Sequence, residues 1–240
     1  MSAVPRYQLI DILRGIAIVL MVYFHFSYDL TYYKLADFDF YRDPYWLNLR
    51  TLIVSLFLTL VGISLVLATR NGINKKRFLR RLGLLLVFSA LITLNSYIMF
   101  PGRTIIIGIL HFIAIASVLG LLFVRRYLLS LVLGVGLILL DYFFQHEFFN
   151  QPWLHWIGLM THKPATEDYV PLIPWFGVVL IGIFIGQSLF RSERLSALFA
   201  FHSGSGVARG LALAGRHSLI IYVLHQPVLF GLLWVFVTLI

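Results

Sequence analysis

His25 and Asp29, one helical turn apart, carry the most suggestive chemistry in the chain. A carboxylate four residues from an imidazole can orient the ring and raise its basicity, which is what general-base catalysis needs. Asp11 and Arg14 precede them on the same apolar run. At about 100° per residue, Arg14 lies roughly 60° around the helix from Asp11, and His25 roughly 20° from Arg14. All four therefore share one face, and that face cannot meet lipid. Asp11 with Arg14 reads first as a structural ion pair. Farther along, Ser218, Tyr222 and His225 fall on one face at spacings of four and three, and Ser89, Thr93 and Ser96 share another with Asn95 beside them. His111 stands about two turns into its own apolar run. The simplest use of such stripes is to line a shared polar cavity.

His111 and His225 each admit two readings, a hydrogen bond between helices or a catalytic group. Pro227 frees a backbone carbonyl that needs a partner, which gives His225 a structural use. His25, Asp29, His111 and His225 are suitable metal ligands by type. Counting along the runs, however, puts His25 and His111 in the outer half of the membrane and His225 in the inner half, so no compact cage follows and no metal is expected. The absence of Cys excludes disulfides, thiolate metal sites and Cys nucleophiles.

The elements that must position these residues are membrane-spanning helices. Apolar residues make up 60% of 240 and charged residues 12%, about half the charge of an ordinary soluble domain. Runs of about 20 apolar residues cross a bilayer as helices. Seven are drawn: Leu9–Leu30, Leu52–Thr69, Leu82–Phe100, Thr104–Val124, Tyr127–Phe144, Leu172–Phe190 and Ser218–Ile240. The first lacks a small-residue cleavage site and reads as a retained helix rather than a signal peptide.

Loop charge alternates in sign with each crossing. One side holds Arg6, the cluster Arg70, Lys75, Lys76, Arg77, Arg80 and Arg81, then Arg125, Arg126, Arg191, Arg194, Arg209 and Arg216, against Glu193 alone. The other holds Lys34, Arg42, Arg50, Arg103 and Lys163 against Asp37, Asp39, Asp43, Asp141, Glu147, Glu167 and Asp168. The basic side faces the cytoplasm, which puts the N-terminus inside and, with an odd number of spans, the C-terminus outside. The net charge of +9 is then mostly topology, and no nucleic-acid partner is expected. Trp153, Trp156, Tyr169 and Trp175 suit the outer interface, with a short surface helix expected over Pro152–Met160. Gly182 and Gly186 form a Gly-x-x-x-Gly pair for close helix packing.

The segment Leu9-Ile-Asp-Ile-Leu-Arg-Gly-Ile-Ala-Ile-Val-Leu-Met-Val-Tyr-Phe-His25 resembles the opening of membrane-embedded acyltransferases, in particular small bacterial members of the heparan-α-glucosaminide N-acetyltransferase catalytic-domain family. Four later stretches are similar to the same family in the same order. They are Phe57-Leu-Thr-Leu-Val-Gly-Ile-Ser-Leu65, Ile107-Gly-Ile-Leu-His-Phe-Ile113, Asp168-Tyr-Val-Pro-Leu-Ile-Pro-Trp-Phe-Gly177 and Gly215-Arg-His-Ser-Leu-Ile-Ile-Tyr-Val-Leu-His-Gln-Pro227. The resemblance implies a multi-helix enzyme that passes an acyl group, usually acetyl, from cytoplasmic acyl-CoA to a sugar amine or hydroxyl across the membrane. Matching positions are Asp11, Arg14, His25, His111, Pro174, Trp175, Ser218 and His225. The animal enzymes carry a functional His after the first helix, whereas Tyr32–Arg50 contains none, which shifts the chemistry to His25.

The expectation is thus an all-α, polytopic plasma-membrane protein, a single transmembrane acyltransferase-like domain over residues 1–240. His25 acts as base, oriented by Asp29, and His111 or Asn95 stabilises the thioester oxyanion. Arg14, Arg80, Arg81, Ser218 and His225 bind acetyl-CoA, while Asn95 and Trp175 meet a sugar or glycan acceptor. Self-association of the chain is left open. The competing reading is a small transporter or channel for a polar or anionic solute, whose path the same stripes would line.

Overall fold

The computed structural model describes residues 7–99, 104–105, 107–163 and 168–239. Among them the chain is helical without a strand. The helices are α1 (Gln8–Tyr32), α2 (Pro44–Thr69), α3 (Lys75–Met99), α4 (Ile109–Gly120), α5 (Tyr127–Phe143), α6 (Leu172–Arg191), α7 (Glu193–Ser196), α8 (Gly206–Arg216) and α9 (Ser218–Leu239). Of the residues in the charge reading, Arg6, Arg103 and Glu167 lie outside the described residues, as do the side chain of Arg194 and the span ends Phe100 and Ile240.

Five helices are long and apolar enough to cross a membrane: α1, α2, α3, α6 and α9. The two others drawn from the sequence, α4 and α5, are shorter apolar helices. The span Thr104–Val124 contracts to twelve residues, about 18 Å at 1.5 Å per residue, against a hydrocarbon core of about 30 Å. Its start is set by extended backbone at Gly108. Its end tightens as Leu121, Leu122 and Phe123 bond to carbonyls three residues back, a geometry that closes a helix rather than prolonging it. In contrast, α2 and α3 begin about two turns earlier than their apolar runs, and α3 thereby takes Arg77, Arg80 and Arg81 onto the helix. Instead of a helix over Pro152–Met160 there are two short 3-10 turns, Glu147–Asn150 and Pro152–Leu154.

The chain packs as two compact units, Met1–Phe57 with Arg194–Ile240, and Leu58–Glu193. In lipid, helices gain nothing from excluding water, so close backbone approach through small residues holds them together. In the second unit a Cβ on Gly182 would collide with the carbonyl of Thr59, and one on Gly62 with that of Val179. A Cβ on Gly186 would sit 3.1 Å from Ile63 Cα. The Gly-x-x-x-Gly pair is therefore the seam between α2 and α6, as expected. Gly134 and Gly177 make a second seam between α5 and α6. Arg70 stacks 3.9 Å over Phe190, and Arg191 stacks 3.9 Å over Tyr127, so part of the basic charge is spent on aromatic faces.

In the first unit the surprise is α8. The stretch Arg191–His217, read from charge as a loop, places α8 alongside the first half of α1 and running in the same direction: Ser203, just before α8, meets Gln8 at the start of α1, and Ala214 packs near Ile18. Gly15 meets the carbonyl of Leu211, and Gly215 meets the carbonyl of Asp11, so neither site has room for a Cβ. Gln8 exchanges two hydrogen bonds with the backbone of Ser203, at 3.0 and 2.7 Å. The helix is interrupted at His217, whose N–H still bonds to the Leu213 carbonyl and whose own carbonyl accepts from Ile221. From there α9 continues parallel to α1: His225 meets His25, Gln226 meets Asp29, and the Tyr33 hydroxyl donates to the Phe230 carbonyl. Ile18, Met21 and Ile53 form the buried core beside Ala214, Ile221 and Tyr222.

These seams predict a sharp contrast among glycine variants. Gly15→Ala or Gly215→Ala should cost about 1–3 kcal/mol through overpacking, whereas Gly83→Ala, where nothing lies within 4 Å, should cost nothing. Thermal unfolding of the detergent-purified protein reads the difference.

Candidate active site

The base of the first unit is held by one carboxylate. Asp11 is 7% exposed and accepts from Arg14 at 3.2 Å and from Arg216 at 3.2 Å. The expected Asp11–Arg14 pair exists, with Arg216 of α8 as a second guanidinium. Charge-assisted bonds of this kind satisfy a carboxylate taken out of water. Ser218, partly buried, opens α9 directly after this clasp.

Above it, α1 and α9 bring four polar side chains together. The rings of His25 and His225 lie 4.9 Å apart, centre to centre. This corrects the depth count, which separated them into opposite halves of the membrane. Because α8 already runs beside α1 in the same direction and passes into α9 through His217, α9 continues along α1 and places its His beside the other. Phe24 stands edge-on to His25 at 5.6 Å and to Phe40 at 5.3 Å, walling one side with aromatic surface.

Asp29 is fully buried. Among the described residues no hydrogen bond joins it to His25; its Oδ1 accepts from Gln226 Nε2 at 2.8 Å, and its Oδ2 has no partner. The orientation of His25 by Asp29 therefore does not rest on a direct bond in this arrangement. Gln226 was not singled out from the sequence, although a signal was there: Ser218, Tyr222 and Gln226 recur at a strict spacing of four and so share a face. Its Oε1 is also buried without a partner among the described residues.

His225 carries its own tautomer label. Its Nδ1 lies 2.6 Å from the carbonyl oxygen of Tyr222. A carbonyl oxygen cannot donate, so the ring proton sits on Nδ1 and Nε2 bears a lone pair. That Nε2 is buried with no partner among the described residues. Each buried polar atom left unbonded costs about 1–3 kcal/mol, and three such atoms (Asp29 Oδ2, Gln226 Oε1, His225 Nε2) belong to this one cluster.

The second unit holds His111 in a different state. The Gly108 N–H donates to Nδ1 at 3.3 Å, while Nε2 lies 3.2 Å from Thr93 Oγ1. Thr93 Oγ1 donates onward to the Ile105 carbonyl at 2.7 Å, so it must accept from His111 Nε2–H. Both ring nitrogens are occupied, one capping α4 and one tying it to α3. Asp168 adds a cap from the chain entering α6, accepting from the Ile109 N–H at 3.1 Å. Of the two readings open for His111, this geometry is the hydrogen bond between helices, and it leaves no ring N–H for a thioester oxygen.

The remaining candidates are scattered. Asn95, Arg80 and Arg81 are exposed on α3. Trp175 is partly buried in the first turns of α6, following Ile173, whose backbone is extended. Ser89 is buried, and its hydroxyl has no partner among the described residues. Among the described residues no group of three or more His, Cys, Asp or Glu is placed to hold a metal ion.

Residues 6–227 match the family described as heparan-alpha-glucosaminide N-acetyltransferase, catalytic. The chain belongs to that family. The matched region covers most of the sequence and includes every residue of the His25–His225 cluster, with His225, Gln226 and Pro227 as its last three positions. Family membership makes the chain a transferase of acetyltransferase-like type, and its apolar helices make it a membrane protein. No curated protein and no solved structure matches it.

The caps on α4 predict that Asp168→Ala and His111→Ala each lower thermal stability by about 1–2 kcal/mol, the usual worth of a helix cap. Thr93→Val should weaken the His111 tie similarly, and the melting temperature of each variant is the readout.

Proposed function

We propose that this protein is a plasma-membrane acetyltransferase that moves an acetyl group from cytoplasmic acetyl-CoA to a sugar amine or hydroxyl on the outer side. What carries the reading is the match to the N-acetyltransferase catalytic family over a region that encloses a half-buried imidazole pair. Attack of an amine or hydroxyl on a thioester carbonyl requires that a proton leave the nucleophile, and a neutral imidazole near the reacting carbonyl supplies that base. The Phe24 ring against His25, with Phe40 behind it and Asp29 buried, supports a site poor in water, which favours transfer over hydrolysis. Basic groups suited to the phosphates of CoA stand in each unit: Arg14 with Arg216 at the Asp11 clasp, and Arg80 with Arg81 on the first turns of α3.

Loop charge supports seven crossings with the N-terminus inside and the C-terminus outside, and the parallel course of α1 and α9 supports the same parity. A reporter active only in the cytoplasm should work when fused after Arg77 or Arg209 and fail when fused after Ile240. Activity at Ile240 would mean an even number of crossings.

Binding of the donor gives the decisive test. Acetyl-CoA or CoA should raise the melting temperature of the purified protein by mass action. The shift should shrink as salt screens the phosphate contacts, and dephospho-CoA should stabilise less than CoA. Arg14→Ala, and separately Arg80→Ala with Arg81→Ala, should reduce it. No stabilisation by any acyl-CoA in folded protein would sink the acetyltransferase reading.

A further inference from the structure

We propose that His225, through Nε2, is the general base of this site. The proposal rests on the acetyltransferase reading above and adds the atom that takes the proton. Sequence spacing favours His25, because Asp29 follows it by one turn. The structure hands Asp29 to Gln226 instead, and it is His225 that has a fixed acceptor for its second nitrogen. The Tyr222 carbonyl at 2.6 Å from Nδ1 plays the part that a carboxylate or carbonyl plays for other catalytic imidazoles: it fixes the tautomer and ring orientation and stabilises the ring once it gains a second proton. The opposite nitrogen is then a lone pair held in a buried place with no partner among the described residues. Buried acceptors are nearly always bonded, so one that is not is a marked position.

His111 supplies the internal contrast. Its Nδ1 accepts and its Nε2–H donates, so it has no spare lone pair to offer. The groups facing His225 are few: His25 on α1, with its ring 4.9 Å away, and Tyr222 on α9 itself, whose ring centre is 5.7 Å away. Asp29 and Gln226 hold each other beside them at 2.8 Å. Pro227 follows within α9; a proline there releases the carbonyl four residues earlier from the helix ladder, loosening the backbone in the turn where the His225 ring bonds.

The reaction balances as follows. The acceptor R–NH2 or R–OH attacks the thioester carbonyl carbon while His225 Nε2 accepts its proton. The new C–N or C–O bond forms, the C–S bond of acetyl-CoA breaks, and the imidazolium returns its proton to the departing sulfur. The products are the acetylated acceptor and CoA thiol, with the neutral Nδ1–H ring restored. No further reactant is needed.

The test uses the full chain in lipid nanodiscs, with acetyl-CoA as donor, glucosamine as the probe acceptor and CoA release as the readout. His225→Ala and His225→Gln should lower kcat at saturating acetyl-CoA at least about 10²-fold while the protein still unfolds cooperatively on heating. Added imidazole should restore part of the activity to His225→Ala and none to His25→Ala. Independently of turnover, 15N-histidine NMR of the wild-type protein should show His225 as the Nδ1–H tautomer and His111 as the Nε2–H tautomer. Wild-type-like turnover in folded His225→Gln overturns the assignment. So does loss of turnover in His225→Ala that imidazole does not restore, or a protonated Nε2 on His225. Failure of the acetyltransferase reading looks different: wild-type protein neither releases CoA nor gains stability from acetyl-CoA, whatever the tautomer proves to be.

Discussion

The close approach of α8 to α1 is the constraint on which the candidate site depends. Without side chains at Gly15 and Gly215, the two backbones come together along half of α1, and Asp11 locks the pairing by holding one guanidinium from each helix. Everything beyond follows from that pairing. It carries the chain along the first half of α1 to His217, from which α9 continues in the same direction. Only from that start do His225 and Gln226 reach the level of His25 and Asp29. A longer, straighter connection would leave the four on different levels, and the polar atoms on α1 would have to be satisfied some other way.

Lipid enforces this economy. In water an unpaired carboxylate or imidazole can lean on solvent, whereas in a bilayer interior each must find a partner within the protein. Most polar groups here do so with the nearest backbone: Ser27, Ser64, Ser117, Ser188 and Thr69 all donate to carbonyls about one turn back. His111 and Asp168 spend themselves on the exposed start of α4. Against that background the atoms of Asp29, Gln226 and His225 left without a partner among the described residues stand apart, because all three are acceptors gathered in one place even after Gln226 has bonded to Asp29. Open acceptors are what the proposed transfer calls for, since its nucleophile would arrive bearing a donor.

The sequence made much of this visible. All-α character, residence in a membrane and the family resemblance follow from composition, run length and ordered motifs; the helical structure with five candidate spans and the family match agree with them. The polar face of α1 was legible because helical periodicity is local: Asp11, Arg14, His25 and Asp29 share it whatever surrounds them. The Gly182–Gly186 seam was legible for the same reason. Helix ends were less so. Run length overestimated α4, because apolar residues also fill the tight turn at its end, and underestimated α2 and α3, because their polar first turns look like loop.

What the sequence determined by itself is therefore which residues share a face of one helix, and that such faces must be turned away from lipid. What only the tertiary structure decided is which faces meet. Arg191–His217 is short, basic and poor in long apolar runs, so charge assigns it to a loop, yet Gly215 within it and Gly15 on α1 let it pack against α1. The partner of Asp29 is then Gln226 rather than His25, and the neighbour of His25 is His225. The physical reason is range. Periodicity and hydropathy act along a few turns of one helix, whereas the depth and direction of α9 depend on a backbone contact between residues about two hundred positions apart, that of Gly215 with the Asp11 carbonyl.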